Sequence, residues 1–423
     1  MPVYKAPVDD TLFLLNDVFN IERYNNLPGF ADAPPDMLEA ILGLGADDID
    51  LVKNAIDKKL LPIDLVLFAK ESVTNAAIDA AYGVARAYRS DEVGTARKML
   101  AARPDLDRRY VNRVRLGGVK FWLDGSIPTG WMSQPYASPP PGAPADYRAY
   151  GQIDDKTLAE AFDRFWTSPM QINMHMMGDA AAEQALRAIE AAIRKHGRSD
   201  HRPVFVHATY MRLDQIERMR AVGGVPSYLC MALVGGGDTA LKLWGADRAN
   251  HAMAASTAFK KGVRFTLSHD APVTPQPTIL ALVDAAVNRT TVNGTVVGAQ
   301  ERLTPYQGLL AVTNHAAWQI KEERAKGSLE PGKLADLVIL DRNPLKVDPK
   351  AIKTIRVVET IKEGRTVFDA RRSAQKLGAL GERLMALSGH ATHQFSFGPC
   401  PGCRSVASGG ARAAAATSRF ECT

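Results

Sequence analysis

From "RVRLGGVKFWLDGS" to about residue 300, short apolar runs alternate with loops and amphipathic stretches. The runs are "VRLGGVKFWLDG", "MQINMHMMGD", "PVFVHATY", "GGVPSYLCMAL" and "VRFTLSHDAPV". Between two of them, "AAAEQALRAIEAAIRKHG" repeats its apolar residues at three and four, and Gly197 offers a C-terminal stop. This βα rhythm predicts a parallel sheet with right-handed crossovers, which a barrel and an open doubly wound sheet both satisfy. "LVGGGDTAL" lacks the lysine and the glycine spacing of a phosphate loop and reads as a flexible strand-to-helix turn.

The flanks differ. Residues 1–60 read as helix, Pro/Gly loop, helix, with Asp9 or Asp10 as N-cap, and an Ala-rich helical stretch continues to about residue 112. Residues 61–324 therefore form the βα domain. Over 325–372, "GSLEPGKLADLVILDRNP" and "TIRVVETIKEGRTVF" read as strands joined by turns, a small β-sandwich element. Residues 373–423 are low in complexity and are expected to be disordered.

Side chains alternate across a strand, so each run splits into two faces. Lys120, Trp122 and Asp124 oppose Val119, Phe121 and Leu123, while Asn173, His175 and Met177 oppose Ile172, Met174 and Met176. The same division groups His207 with Phe205 and Thr209, opposite Val204, Val206 and Ala208, and Asp270 with Thr266 and Ser268. A lone histidine in an apolar run is usually a hydrogen-bonded core residue. Lys120, His175, His207 and Asp270 instead recur near successive strand ends, where α/β barrels assemble their sites.

Imidazole and carboxylate suit Zn²⁺, which in catalytic sites keeps a position open for water and makes that water acidic near neutral pH. Asp270 suits the general acid-base role. Lys120 does not fit as an ammonium, which has no acceptor lone pair and repels a cation; only a neutral or chemically modified lysine suits the site. The Pro-rich "SQPYASPPPGAPADYRAYG" that follows is expected to lie over the mouth of the sheet, with Trp131 and Tyr136 shaping a substrate, or else to be an exposed connector. A second zinc site of knuckle type is conceivable in "GHATHQFSFGPCPGC", from His390, His393, Cys400 and Cys403.

Composition narrows the partners. With 46% hydrophobic and 23% charged residues the chain is globular, and its net charge of +6 is spread beside acidic residues rather than gathered into a basic stripe, which argues against nucleic acid. The 4 cysteines are too few for a disulfide framework, no apolar run is long enough for a membrane span, and a reducing, cytoplasmic setting is expected. The expected partner is a small-molecule substrate.

At these residues the sequence resembles the amidohydrolase superfamily, in the amidohydrolase 3 branch that includes N-substituted formamide deformylase-like proteins. The carriers are "GGVKFWLDGS", "HMMGDAA", "GVRFTLSHDAPV", "LTPYQGLLAVTNHAA" and "KGSLEPGKLADLVILDRNP", in order over about residues 105–370. The resemblance implies a distorted (β/α)8 barrel, one or two zinc ions, carboxylation of Lys120 to a carbamate, metal ligation by His175, His207 and Asp270, and hydrolysis of a non-peptide carbon-nitrogen bond. Two departures are Val206, where the branch usually has Glu, and His269, where Ser is common. A larger one lies upstream: the family's first strand carries a His-x-His pair, and no histidine precedes His175. Residues 1–45 are instead similar to the N-terminal segment of acyl-CoA dehydrogenases, without flavin-contacting parts, so no flavin is expected. The fold expectation is thus α/β: an incomplete (β/α)8 TIM-like barrel with a small β-sandwich element and a helical N-terminal extension, on a mosaic chain. Its open sheet edges suggest a homo-oligomer, and the competing expectation is a catalytically inactive remnant serving as a scaffold.

Overall fold

The computed structural model describes residues 3–4, 40–44, 49–59, 61–71, 95–107, 109–270, 274 and 278–372. All lie in the first of two units, residues 1–373. The described strands are β1 (Val3–Tyr4), β2 (Ala40–Leu44), β3 (Leu65–Lys70), β4 (Val114–Trp122), β5 (Gln171–His175), β6 (Val204–His207), β7 (Val225–Tyr228), β8 (Thr266–Leu267), β9 (Leu337–Leu340), β10 (Val357–Lys362) and β11 (Arg365–Asp369). Strands β2 to β8 form one seven-stranded sheet in chain order, each parallel to the next. The others form an antiparallel sheet in the order β1-β9-β10-β11.

Helices fill the crossovers. Between β2 and β3 comes α1 (Ile49–Asp57), and before β4 comes α2 (Thr95–Ala102). The next connections carry α3 (Asp155–Trp166), α4 (Asp179–His196) and α5 (Leu213–Ala221). After β7 come α6 (Met231–Trp244), α7 (Ala246–Asn250) and α8 (Ala255–Lys260), and after β8 come α9 (Ile279–Asn288), α10 (Pro305–Ala311) and α11 (Asn314–Gln319). Their ends follow local chemistry. Asp154 accepts the Thr157 amide at the start of α3, Thr304 and Gln307 form a capping box ahead of α10, and Gly197 ends α4 at φ 82°.

Two apolar layers define the curl of the parallel sheet. Val119, Phe121, Leu123, Ile172, Met174, Met176 and Phe205 face outward into one core with the helices, including the Ala181, Ala185, Ile189 and Ala192 stripe of α4. The methionines around His175 thus pack against helices. On the inner face, Val66 and Phe68 of β3 meet Val204 and Val206 of β6, Val225 of β7, and Ala316, Ala317 and Ile320. Two strands separate β3 from β6, so this cluster requires a curled sheet. Its lower end is closed by α11: Gln319 accepts the Thr266 hydroxyl at 2.7 Å and, through its carbonyl, the Gln171 amide at 2.8 Å. At the β4–β5 seam a Cβ on Gly118 would lie 2.0 Å from the Gln171 carbonyl oxygen, so only glycine lets these strands pair. The result is an α/β fold, a (β/α) barrel with seven described strands where the closed form has eight.

Three local expectations change. Strands β2 and β3 lie where the sequence suggested helix, and β1 joins the antiparallel sheet from within the segment expected to be a helical extension. Short apolar runs such as "AILGL" and "LVLFAK" carry no period that separates a buried strand from a buried helix. In β3 both faces are covered, with Leu65, Val66, Leu67, Phe68 and Ala69 all at most 1% exposed. Gly235–Gly237, read as a turn, lie inside α6, where a Cβ on Gly236 would meet Ile127 at 2.7 Å and one on Gly237 would meet Thr291 at 2.8 Å.

The two sheets are joined by buried ion pairs. Asp64, just before β3, accepts from Lys326 Nζ and Lys362 Nζ, both at 2.8 Å, and from Arg113 at 2.9 Å. Lys362 also meets Asp336 at 2.8 Å, and Lys326 meets Glu322 at 2.8 Å. Burial pushes the Asp64 carboxyl up, but the two ammonium groups outweigh it and hold it at about 2. Removing one partner of such a cluster strands the remaining charges. Asp64→Ala is expected to cost about 3–5 kcal/mol in denaturant unfolding, whereas Asp163→Ala, on the exposed Lys195 pair, leaves the midpoint nearly unchanged.

Candidate active site

Lys120, His175 and His207 lie at or near the C-terminal ends of β4, β5 and β6, and Asp270 follows β8. All four are buried, Lys120 completely. The His175 and His207 rings meet edge to face with centroids 4.6 Å apart. The Lys120 ammonium lies near enough to act electrostatically on His175, His207 and Asp270 alike. These four therefore share one buried locality. Among the described residues, His175 Nδ1, His207 Nδ1 and Asp270 Oδ1 are buried there with no hydrogen-bond partner.

Regular pleating does not account for this convergence. On β6, Val204 and Val206 face into the barrel while Phe205 faces the helices, the reverse of the division expected from the sequence. By alternation His207 would follow Phe205 outward. Its backbone instead turns left-handed, with φ 69° at His207 and 41° at Ala208, and its ring comes to lie beside His175. Asp270 is left-handed too, at φ 60°. Such backbone is uncommon for residues with a Cβ, and its cost is often found at functional sites. Val206, in the position where Glu was expected, lines the apolar inner cluster.

Sequence reasoning passed over Asp124, Asn173 and Asp179. Asp124 is fully buried and accepts backbone N–H groups from Trp131 at 2.9 Å, Met177 at 2.9 Å and Gly178 at 2.8 Å. Its place on the polar face of the "VKFWLDG" run was the available signal. Asn173 neighbours Lys120 in the β4–β5 register and leaves Oδ1 buried without a partner among the described residues. Asp179, at the start of α4, accepts from the Ser133 amide at 2.8 Å and Arg212 at 3.0 Å, tying the loop after β4 to the helical layer.

That loop is anchored rather than free. Arg248 donates to the carbonyls of Gln134 and Pro135, and the Trp244 indole donates to Ile127 O. Trp131 is half-buried, with its backbone against Gly178. Tyr136 is turned inward, and its hydroxyl donates to Gly130 O at 2.7 Å. His390, His393, Cys400 and Cys403 lie outside the described residues.

Burial dominates the electrostatics. It drives the His175 imidazole down to about 3, with the Lys120 charge adding to the effect, and holds His207 well below its ordinary value together with His175 and Lys120. Both rings are therefore neutral at pH 7 and present lone pairs. Burial raises Asp270 to about 7 although Lys120 opposes it, and it raises Asp124 to about 7 against three backbone N–H bonds. Neutral imidazoles with unpartnered buried nitrogens are donors of the type that a divalent cation takes. Among the described residues no three His, Cys, Asp or Glu side chains are gathered closely enough to hold a metal by themselves, so His175, His207 and Asp270 do not make a complete ligand set.

The pH dependence has a definite sign in metal-free protein. An unfolded histidine takes a proton near 6.5 and folded His175 only near 3, so acidification between those values removes about 1.4 kcal/mol per pH unit. Asp270 works oppositely: below about 7 and down to 3.8 its folded form binds the proton first, so acidification adds stability. Below pH 6.5, urea unfolding should show His175→Asn gaining stability relative to the parent and Asp270→Asn losing it.

Comparison with known proteins agrees with this architecture. The chain is 26% identical to YtcJ of Bacillus subtilis (strain 168) over 264 residues, which is 60% of this chain and 48% of that protein. It is 25% identical to the N-substituted formamide deformylase of Arthrobacter pascens over 256 residues, 59% of this chain and 45% of the relative. The chain thus spans about half the length of the curated relatives it matches. Among solved structures, an uncharacterized metal-dependent hydrolase from Pyrococcus furiosus superimposes with a TM-score of 0.57 at 23% identity, covering 73% of this chain and 56% of that one. A second, from Pyrococcus horikoshii, gives 0.58 at 21%, covering 73% and 57%. No described helix is long and apolar enough to cross a membrane. Residues 30–368, a span that begins inside the segment likened to acyl-CoA dehydrogenases and takes in the whole parallel sheet, match the amidohydrolase family: the chain belongs to it.

Proposed function

We propose that this chain is a metal-dependent amidohydrolase that hydrolyses a non-peptide carbon-nitrogen bond, of amide or formamide type, in a small molecule. One observation carries the reading: Lys120, His175, His207 and Asp270 gather in one buried place, with three of their polar atoms lacking hydrogen-bond partners among the described residues. The name of the Arthrobacter pascens relative, N-substituted formamide deformylase, supports the bond type.

The residues divide the work. His175 and His207, kept neutral by burial, and Asp270 would hold a divalent cation such as Zn²⁺, with Lys120 contributing oxygen atoms once carboxylated. A cation held there supplies Lewis acidity and a water that ionises near neutral pH. Asp270, buried at the same place, would take a proton from water and return it to the departing nitrogen. The inner face below, lined by Val66, Phe68, Val204 and Val206, keeps bulk water from reaching the group from beneath. The anchored loop bearing Trp131 and Tyr136 shapes the approach of the substrate.

The rival reading is an inactive scaffold. Elemental analysis separates the two. The enzyme reading expects about one equivalent of zinc per chain, lost in His175→Asn and His207→Asn, with amine release from an N-substituted formamide lost in parallel. Metal-free parent protein with no hydrolysis after zinc loading establishes the scaffold.

A further inference from the structure

We infer that Asp124 is the positioning residue for His175: it locks the exits of β4 and β5 together so that the Gly125 carbonyl stays on His175 Nε2 and Nδ1 remains the bare nitrogen. The inference deepens the metal-site reading and rests on it only for the use to which that nitrogen is put.

The geometry leads there stepwise. His175 Nε2 lies 2.9 Å from Gly125 O, and a carbonyl oxygen can only accept, so the ring proton sits on Nε2. Nδ1 is then unprotonated, buried and without a hydrogen-bond partner among the described residues, on a ring whose edge-to-face neighbour is His207. Which nitrogen of a histidine is free for a ligand is set by what the other one bonds. Here the other one bonds a backbone carbonyl in a loop with little regular structure of its own.

Asp124 is what fixes that loop. Its carboxylate draws in N–H groups from Trp131 on its own loop and from Met177 and Gly178 beyond the end of β5, and Oδ1 itself lies 3.7 Å from His175 Nε2. No lysine or arginine pairs with it among the described residues; its charge is met by backbone dipoles, one of them from Gly178, the N-cap of α4. The clamp is tight enough that a Cβ on Gly178 would lie 1.9 Å from Trp131 O, and that same oxygen accepts the Ala180 amide at 3.1 Å. The carboxyl group's burial is costly, and its Oδ1 offers an acceptor to the Nε2 side of the ring. A neutral amide in its place would keep one oxygen for the Trp131 and Gly178 N–H groups but turn its NH₂ toward the Met177 N–H and the Nε2 side of His175, loosening the clamp where it meets the ring.

The test is nitrogen-15 NMR of metal-free protein labelled at histidine, with the His175 signals assigned by their loss in His175→Asn. The parent should show His175 as the Nε2–H tautomer. Asp124→Asn should give a mixture of tautomers and lower zinc affinity by about 10–100-fold, while the His201 signals stay in place. Asp124→Glu, which keeps the charge but displaces it by one methylene, should retain Nε2–H preference better than the amide, and it is read in the same way if the amide variant does not fold. A parent with the proton on Nδ1, or variants that keep the parent's tautomer, overturns the inference. A tautomer change in protein that binds no zinc upholds the positioning role and overturns only the metal reading.

Discussion

A pleated strand points successive side chains to opposite faces, and this site asks more of it than that. Lys120 and His175 reach the interior by ordinary alternation on β4 and β5. His207 sits on the wrong parity of β6 and arrives only because its own backbone, and that of Ala208, turns left-handed. The local conformation is unfavourable for residues with a Cβ, so the surroundings must impose it. They do so from both sides. Val204 and Val206 are held in the inner apolar cluster and Phe205 in the outer one, while Leu229 N–H bonds the His207 carbonyl at 3.3 Å.

Much of the architecture was legible in the residues. Runs from β4 to β8 with helices between them announced a parallel α/β sheet, and Lys120, His175, His207 and Asp270 stood out because their types recur at strand ends. What could not be seen has physical reasons. The strands β2 and β3 are covered on both faces, so their sequences carry no alternation that separates strand from helix. The parity of β6 was misjudged because valine and phenylalanine are equally apolar and nothing local says which faces helices. The left-handed turn at His207 has no glycine or asparagine to mark it, since it is enforced by packing rather than preferred by the residue. Asp124 resembled one more polar strand-end residue until its three backbone donors were located.

Burial is the largest influence on the acids and imidazoles of the site. Both imidazoles are driven below their ordinary range, and Asp124 and Asp270 are driven above theirs. The structural ion pairs lie elsewhere, around Asp64 and along the Glu183, Arg212 and Arg218 ladder between α4 and α5, where each acid has a basic partner at hydrogen-bond distance. Ion pairs that hold elements together and the titratable groups of the site thus differ in how burial is met.

The Asp64 cluster also bears on how the chain can be divided. Strands β9 to β11 have the appearance of a detachable module, following α11 in the sequence and forming, with β1, a sheet separate from the parallel one. Yet Lys362 on β10 and Lys326 ahead of β9 share a single acid that belongs to the entry of β3, and Glu363 reaches Arg113 beside β4 at 2.7 Å. A graft or recombination that swapped the antiparallel sheet for that of a cousin would leave Asp64 facing foreign neighbours. The crossover point compatible with this protein is therefore set by ownership of two lysines, and it runs through the middle of the molecule rather than along the visible seam.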